Sequence, residues 1–265
     1  MAEIRIGLSG YAYAPWRGEG RFYPPELKPK EFLAFYAERY RAVEMDGTWY
    51  KMPSREQLAN LATAPEGFQF TFKAHRQVSH MARLKPAALD PMRFFLYRLS
   101  FLAPTGKVGA VLVQLPPNFK FDAARVRDFF EAAPRKYTDI PEWEYEGETH
   151  GVDPALKGTP EDAIRYALEF RHESWRCDES DQLLTDLNVG CVAAETDEAE
   201  AWLCESGDVR YCRLRKSDYG KKELTVWAER MKKWQASGLD TLAFLKHEDD
   251  GSPWIWADEL LSILG

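Results

Sequence analysis

Residues 165–175 read RYALEFRHESW. Tyr166, Ala167 and Leu168 lead in as apolar residues, and then Glu169, Arg171 and Glu173 place charge on alternate positions. Successive side chains in a strand point to opposite sides, so Leu168 and Phe170 fall on the other face. An acid and a base side by side on a half-buried strand are costly unless they pair or bind something. The stretch therefore predicts a strand with a polar site at its C-terminal end, which is where α/β proteins keep their ligands.

Similar strands lie on either side. Ile4 to Gly10 opens the chain as a strand, and Ala42 to Tyr50 is a second, carrying Glu44 and Asp46 on one face. In FQFTFKAHR (68–76), Phe68, Phe70 and Phe72 share one face while Gln69, Thr71, Lys73 and His75 share the other. VGAVLVQLPP (108–117) is a continuous apolar run, as expected of a strand covered on both faces. CVAAETDE (191–198), VRYCRLR (209–215) and TLAFLKHEDD (241–250) complete the set. Helical spacing marks 30–40, 92–102, 122–133, 179–187, 223–236 and the segment after Pro253, and Ser54 with Gln57 makes a capping-box start for another helix. Eight strands alternating with helices imply a parallel sheet, and eight such units in ~250 residues predict an α/β TIM (β/α)8 barrel. A doubly wound open sheet is the alternative, but GLSGYAY lacks the G-x-G-x-x-G turn. The expectation is one domain over residues 1–265, irregular around strands six and seven, with an acidic insertion at 134–164 before strand five.

Composition narrows the class. Hydrophobic content of 45% and charged content of 29% are ordinary for a globular chain. The net charge of −7 is concentrated in Asp139, Glu142, Glu144, Glu146, Glu148 and Asp153, which leaves the remainder close to neutral. The core of this insert, EWEYEGE, reads as a hairpin arm or a lid. No long basic tract favours duplex nucleic acid. Cys177, Cys191, Cys204 and Cys212 form no C-x-x-C pair and read as reduced thiols. No apolar run approaches the ~20 residues of a membrane helix, and MAEIRIGLSG has no leader pattern, so a cytoplasmic location is expected.

The strand ends offer Ser9; Glu44 and Asp46; Lys73 and His75; Gln114; Glu169 and Arg171; Glu195 and Asp197; Arg213 and Arg215; and Lys246 or His247 with Glu248. A barrel's inward face is otherwise packed with Val, Ile and Leu, so this recurrence predicts a site on the top face. The competing interpretation is internal ion pairing, Glu44 with Lys73 and Glu169 with Arg171. Lys73 suits anion binding, with Arg171 and Arg213 adding guanidinium forks, or a Schiff base if its pKa falls. Glu44 and Glu169 suit general acid–base work. The turn RKSDYGKKEL, with Gly220 among Lys216, Lys221 and Lys222, suits phosphate or is a solvated basic turn. Trp16, Trp49 and Trp175 suit a stacking platform or a barrel roof. A divalent metal on Glu44, His75, Glu169, Glu195 and His247 is an alternative without supporting spacing, and no cofactor is otherwise expected. His80 and His172 read as loop hydrogen-bonders. GLSGY lacks the last glycine of G-x-S-x-G, so Ser9 reads as a turn residue or anion donor.

Five stretches, GLSGYAYAPWRGEGRFYPPEL, VEMDGTWYKMPS, FTFKAHRQVSHMARL, VLVQLPPNF and ALEFRHESW, together resemble the YecE-like family, domain of unknown function seventy-two. The resemblance covers nearly the whole chain in the same order. It implies a TIM barrel, supplies no reaction, and points to Glu44, Thr48, Tyr50, Lys73, His80, Gln114, Glu169, Arg171, Trp175 and Arg213. The chain departs where the family's Asn-Ser-Thr-Phe-Tyr is Asp46 to Tyr50, where a His-Gly after Leu214 is Arg215-Lys216, and where a Phe-Asn-Asn ending is Leu245, Lys246 and His247. Taken together, Glu44, Lys73 and Glu169 are the expected catalytic residues. Ser9, Tyr50, His75, His80, Gln114, Arg171, Trp175, Arg213 and Arg215 are expected to hold a small anionic substrate. The alternatives are a metal-dependent phosphodiester hydrolase, including one acting on nucleic acid, and a non-catalytic binding module that uses the acidic insert as a docking arm.

Overall fold

The structure is a computed structural model that describes residues 2–145, 147–246 and 252–265. The elements run β1 (Ile4–Ser9), α1 (Phe32–Arg39), β2 (Ala42–Met45), α2 (Arg55–Ala62), β3 (Gln69–Lys73), α3 (Leu89–Leu99), β4 (Val108–Gln114), α4 (Ala123–Ala132), β5 (Trp143–Tyr145), β6 (Glu148–His150), β7 (Tyr166–Glu169), α5 (Asp178–Asp186), β8 (Gly190–Glu195), β9 (Val209–Leu214), α6 (Lys221–Ala236), β10 (Asp240–Leu245) and α7 (Pro253–Leu264). Eight parallel strands close a barrel in the order β1–β10–β9–β8–β7–β4–β3–β2. This is the TIM-type architecture the sequence predicts, and the expected irregularity is the connection from β8 to β9, which carries no helix.

Period-two alternation sorts the side chains. Phe68, Phe70 and Phe72 point outward into the large core between barrel and helices, with Ile6, Leu8, Val111, Val113 and Leu168. Inside the ring, Ala42, Ala110, Leu112, Ala167, Val192, Tyr211, Leu242 and Phe244 form a second, smaller core. Below it Arg165 reaches Asp240 at 3.0 Å and Gln69 at 3.1 Å, which closes the N-terminal end with paired charge. The polar strand ends lie above it.

Several boundaries differ from the sequence expectation. β2 stops at Met45 because Asp46–Trp49 turns into a 3-10 helix, and Tyr50 caps it. α3 begins three residues earlier than its apolar pattern, since Pro91 is tolerated in a first turn where its missing N–H has no intrahelical partner. The acidic insert is a hairpin arm, with Trp143 paired to His150 across the turn and packed edge-on against Tyr97 of α3. The end of the last expected strand, including His247 and Glu248, lies outside the described residues. Among the described residues the cysteines are free thiols, and no helix is long and apolar enough to cross a membrane.

One side chain is built into the barrel wall. The buried Tyr36 hydroxyl of α1 accepts from the Leu8 N–H at 2.7 Å and donates to the Ala42 carbonyl at 2.9 Å, bridging β1 and β2. Removing that oxygen strands a buried donor and a buried acceptor. Tyr36→Phe should therefore cost about 1–3 kcal/mol, read as a lower urea midpoint at unchanged m-value; an unchanged midpoint would contradict this role.

Candidate functional site

Register builds the floor of the site. Ser9 lies beside Glu44 in the β1–β2 pairing, and Gln114 lies beside Glu169 in the β4–β7 pairing. The Ser9 hydroxyl accordingly donates to Glu44 Oε1 at 2.5 Å, and the Gln114 amide donates to Glu169 Oε1 at 2.8 Å. From β9, Arg213 joins the two carboxylates. Its Nη1 donates to Glu169 Oε2 at 2.5 Å, while Nη2 and Nε hold Glu44 at 2.8 Å and 3.0 Å. Tyr211 donates to Glu44 Oε2 at 2.6 Å and lies 2.8 Å from the Thr71 hydroxyl, which must then be the donor in that second bond. Burial and Glu44 hold the Tyr211 phenol well above its ordinary pKa, so it keeps the proton it donates.

This cluster is sealed: the side chains of Glu44, Glu169 and Arg213 are 0%, 1% and 2% exposed. Burial alone would raise both carboxyl pKa values, yet the balance goes the other way. Arg213, Ser9 and Tyr211 hold Glu44 below the usual carboxylate range, and Arg213, Arg171 and Gln114 bring Glu169 to about 2. Burial also works against the Arg213 cation, but Glu169 and Glu44 raise its pKa above the ordinary arginine value. Both acids are therefore ionised and poorly basic, Glu44 with four donors and Glu169 with three among the described residues. That low basicity weighs against the acid–base role expected of Glu44 and Glu169. Arg213 is likewise spent on carboxylates and does not face an incoming anion. The expected Glu44–Lys73 ion pair is replaced by Glu44–Arg213, whereas Glu169–Arg171 is present at 3.2 Å although Arg171 lies beyond the end of β7.

The rim above this floor is cationic. Lys73, the last residue of β3, is half-buried with its ammonium 5.0 Å from the centre of the Trp49 ring. The Trp49 indole donates to His80 Nδ1 at 3.3 Å, and the Ser79 hydroxyl lies 2.8 Å from the same nitrogen. His80 sits in a π-helical turn, Gln77–Met81, followed by Arg83 and Leu84 at φ of 53° and 56°. A π turn running into two left-handed non-glycine residues is strained backbone of the kind that gathers at functional sites. Lys246 reaches Asp46 at 3.5 Å, and Tyr13 donates to the same carboxylate at 3.0 Å. Glu169, Arg171, His172, Arg176, Thr196 and Arg215 help to line a groove of about 370 Å³.

Charge crowding shifts the rim groups. Burial lowers the Lys73 pKa, and Arg213 and Lys246 lower it further against Glu169 and Glu44, bringing it from 10.5 to about 8. Burial, Lys73, Arg171 and Arg83 lower His80. Burial with Arg213 lowers Arg215, and burial lowers Lys246 despite Asp46.

Other expected site residues lie elsewhere. Trp175 is fully buried in a 3-10 turn, stacked on Phe170 with its indole donating to the Phe119 carbonyl at 2.9 Å, so it supports the wall and offers no surface to a substrate. Trp16 is buried against Phe22 and Trp254. Tyr50 is 68% exposed, and its carbonyl lies 3.3 Å from His75 Nε2. Glu195 points outward to the Trp227 indole of α6, and Asp197 accepts from the Ser217 N–H. The metal set of Glu44, His75, Glu169 and Glu195 is thus not brought together, and His247 lies outside the described residues. In the basic turn Lys216 pairs with Glu223, Lys221 pairs with Glu259, and Glu223 caps the Gly220 N–H, so acids already occupy the expected phosphate loop. Tyr211 and Tyr13 join the site without having been singled out as site residues, and Asp46 and Trp49, expected at a strand end and as a stacking platform or roof, also lie there. Tyr211 was legible two residues before Arg213 on the same face.

A barrel carrying buried carboxylates and cations at its C-terminal rim belongs to the TIM-type α/β class. Residues 5–265 match the family model described as "Protein of unknown function DUF72", and the chain belongs to that family. It is similar to the UPF0759 protein YunF of Bacillus subtilis (strain 168), at 24% identity over 283 residues covering 98% of this chain and 94% of that protein. Among solved structures it resembles a DUF72 family protein of Thermotoga maritima MSB8, with a TM-score of 0.74 at 21% identity over 98% of each chain. A second resemblance is to a DUF72 family protein of Enterococcus faecalis V583, with a TM-score of 0.70 at 17% identity over 100% of this chain and 98% of that one.

Removing Arg213 would leave two buried carboxylates facing each other. Arg213→Met should destabilise the protein by about 3–5 kcal/mol at neutral pH. The wild-type contribution of Glu169, whose folded pKa lies near 2, is present above its ordinary value of 4.5 and is lost as pH falls toward 2. The gap between wild type and variant in urea denaturation should therefore narrow over that window; a gap that is small, or constant with pH, would contradict this assignment.

Proposed function

We propose that the chain is an enzyme acting on a small anionic substrate at the C-terminal rim of the barrel. Lys73, His80, Arg171 and Arg215 meet the substrate, and the sealed Glu44–Arg213–Glu169 cluster fixes their electrostatics from below. One observation carries this reading: Lys73, Arg215 and Lys246 crowd together, each with a pKa lowered by burial and by neighbouring positive charge. Crowded, partly dehydrated cations gain most from an anion placed among them. The Arg171 fork suits a carboxylate or a phosphate equally. Lys73, with its pKa near 8, is the group able to give or take a proton near neutral pH, a task the two ionised glutamates are poorly suited to perform. The metal-assisted alternative has less support, because Arg213 occupies Glu44 and Glu169 while His75 and Glu195 face other partners.

Sulfate is the simplest probe. At constant ionic strength set with chloride, low millimolar sulfate should raise the melting temperature, and more so below pH 8, where Lys73 is charged. Lys73→Met should abolish this rise, whereas Lys221→Met, outside the site, should leave it intact. An equal rise in Lys73→Met and wild type, or none in wild type, would sink the reading.

A further inference from the structure

We propose that Lys73 is a nucleophile as well as a cation, and that its ε-amine condenses with the carbonyl of an aldehyde or ketone bound at the rim to form a Schiff base. This deepens the anionic-substrate reading and rests on it for the position of the substrate, whose charged end would lie toward Arg171.

The two other half-buried lysines at this end of the barrel have acids to meet them: Lys216 has Glu223 at 2.8 Å, and Lys246 has Asp46 at 3.5 Å. Among the described residues Lys73 makes no side-chain hydrogen bond or ion pair. Its contact is the face of Trp49. Yet Glu44 and Glu169 are close enough to act on it electrostatically. They are unavailable because Arg213 holds both, with Ser9, Tyr211 and Gln114 taking further acceptor positions. The fold thus brings a lysine to two carboxylates and gives both to an arginine. An ammonium is poorly served there, while a neutral amine needs only an electrophile.

The base of the side chain is held firmly. Lys73 ends β3, whose neighbours β2 and β4 pair with it on both sides, and the Thr48 hydroxyl donates to the Lys73 carbonyl at 2.7 Å. The amine can therefore be presented at a fixed point on the rim. A pKa near 8 leaves roughly a tenth of it neutral at pH 7, against less than a thousandth for an ordinary lysine.

The chemistry balances without a redox partner. The Nζ lone pair forms a bond to the carbonyl carbon while the C=O π pair moves to oxygen, which takes a proton. The carbinolamine then loses that oxygen as water as nitrogen forms the C=N bond, and the two amine hydrogens are returned through solvent to the departing oxygen. One carbonyl and one amine give one imine and one water. The protonated imine would then draw electrons from the adjacent carbon, which is the reason enzymes use such lysines.

Reductive trapping tests this in the full chain. The protein is exposed briefly at pH 7 to glyoxylate, an anionic aldehyde, or to glycolaldehyde, an uncharged one, with cyanoborohydride, and adducts are located by peptide mass mapping. Lys73 should be labelled by glyoxylate at least roughly tenfold faster than Lys221, reflecting its larger neutral fraction. Sulfate should slow that labelling, and Lys73→Arg should remove the fast adduct while retaining a wild-type circular dichroism spectrum. Labelling at Lys73 no faster than at Lys221 with either aldehyde overturns the Schiff base, and leaves the anion reading standing if sulfate still stabilises the protein through Lys73. Fast labelling of Lys73 by both aldehydes alike, unaffected by sulfate, supports the nucleophile and removes the anion reading. If Lys73→Arg does not fold, the comparison of Lys73 with Lys221 within the wild-type protein decides alone.

Discussion

One guanidinium sits between two carboxylates inside a closed ring of strands, and most of the upper barrel follows from it. Arg213 reaches inward from β9 to Glu44 on β2 and Glu169 on β7. Neither acid could be buried there alone, since an unpaired buried carboxylate would take up a proton instead. The arrangement needs the ring to be closed, because Arg213 and Glu44 stand 169 residues apart and are brought together only when β10 pairs with β1. Ser9, Gln114, Thr71 and Tyr211 complete the network, so the mouth of the barrel rests on a floor whose polar groups are largely satisfied.

That floor governs the rim by what it withholds. With both acids committed to Arg213, the cations above them are stabilised less than their proximity to carboxylates would suggest. Arg213 itself acts as a positive charge beneath Lys73, Lys246 and Arg215, and it contributes to lowering all three. The Trp49 ring lies 5.0 Å from the Lys73 ammonium and donates in turn to His80 on the strained π turn. Structure and reactivity are linked here: the same ion pairs that make the polar interior tolerable leave a lysine poised near neutrality.

The alternation in FQFTFKAHR and VRYCRLR decided which side chains enter the barrel, so Lys73, Tyr211 and Arg213 were legible as inward residues. So was the polar character of the strand ends. Pairing across the ring was not, because periodicity gives a face and says nothing of which distant strand lies opposite. The sequence therefore allows Lys73 as a partner for Glu44, which Arg213 in fact holds. The extent of a strand was also hidden. Arg171 and Trp175 continue the pattern of Glu169 in sequence, but the chain leaves the sheet at Glu169 and a 3-10 turn carries Trp175 into the core. Glu195 was misjudged by register, since Val192 and Ala194 hold the inward positions of β8 and Glu195 faces α6. The π turn around His80 has no marker in the sequence strong enough to announce it.

Burial and the Arg213 charge lower the Lys73 pKa toward neutral pH. Its titration, followed by the carbon and nitrogen resonances of the side chain in isotopically labelled protein with Lys73→Arg for assignment, tests that claim without any substrate. A midpoint near pH 8 is expected. A midpoint near 10.5, the ordinary lysine value, would contradict it.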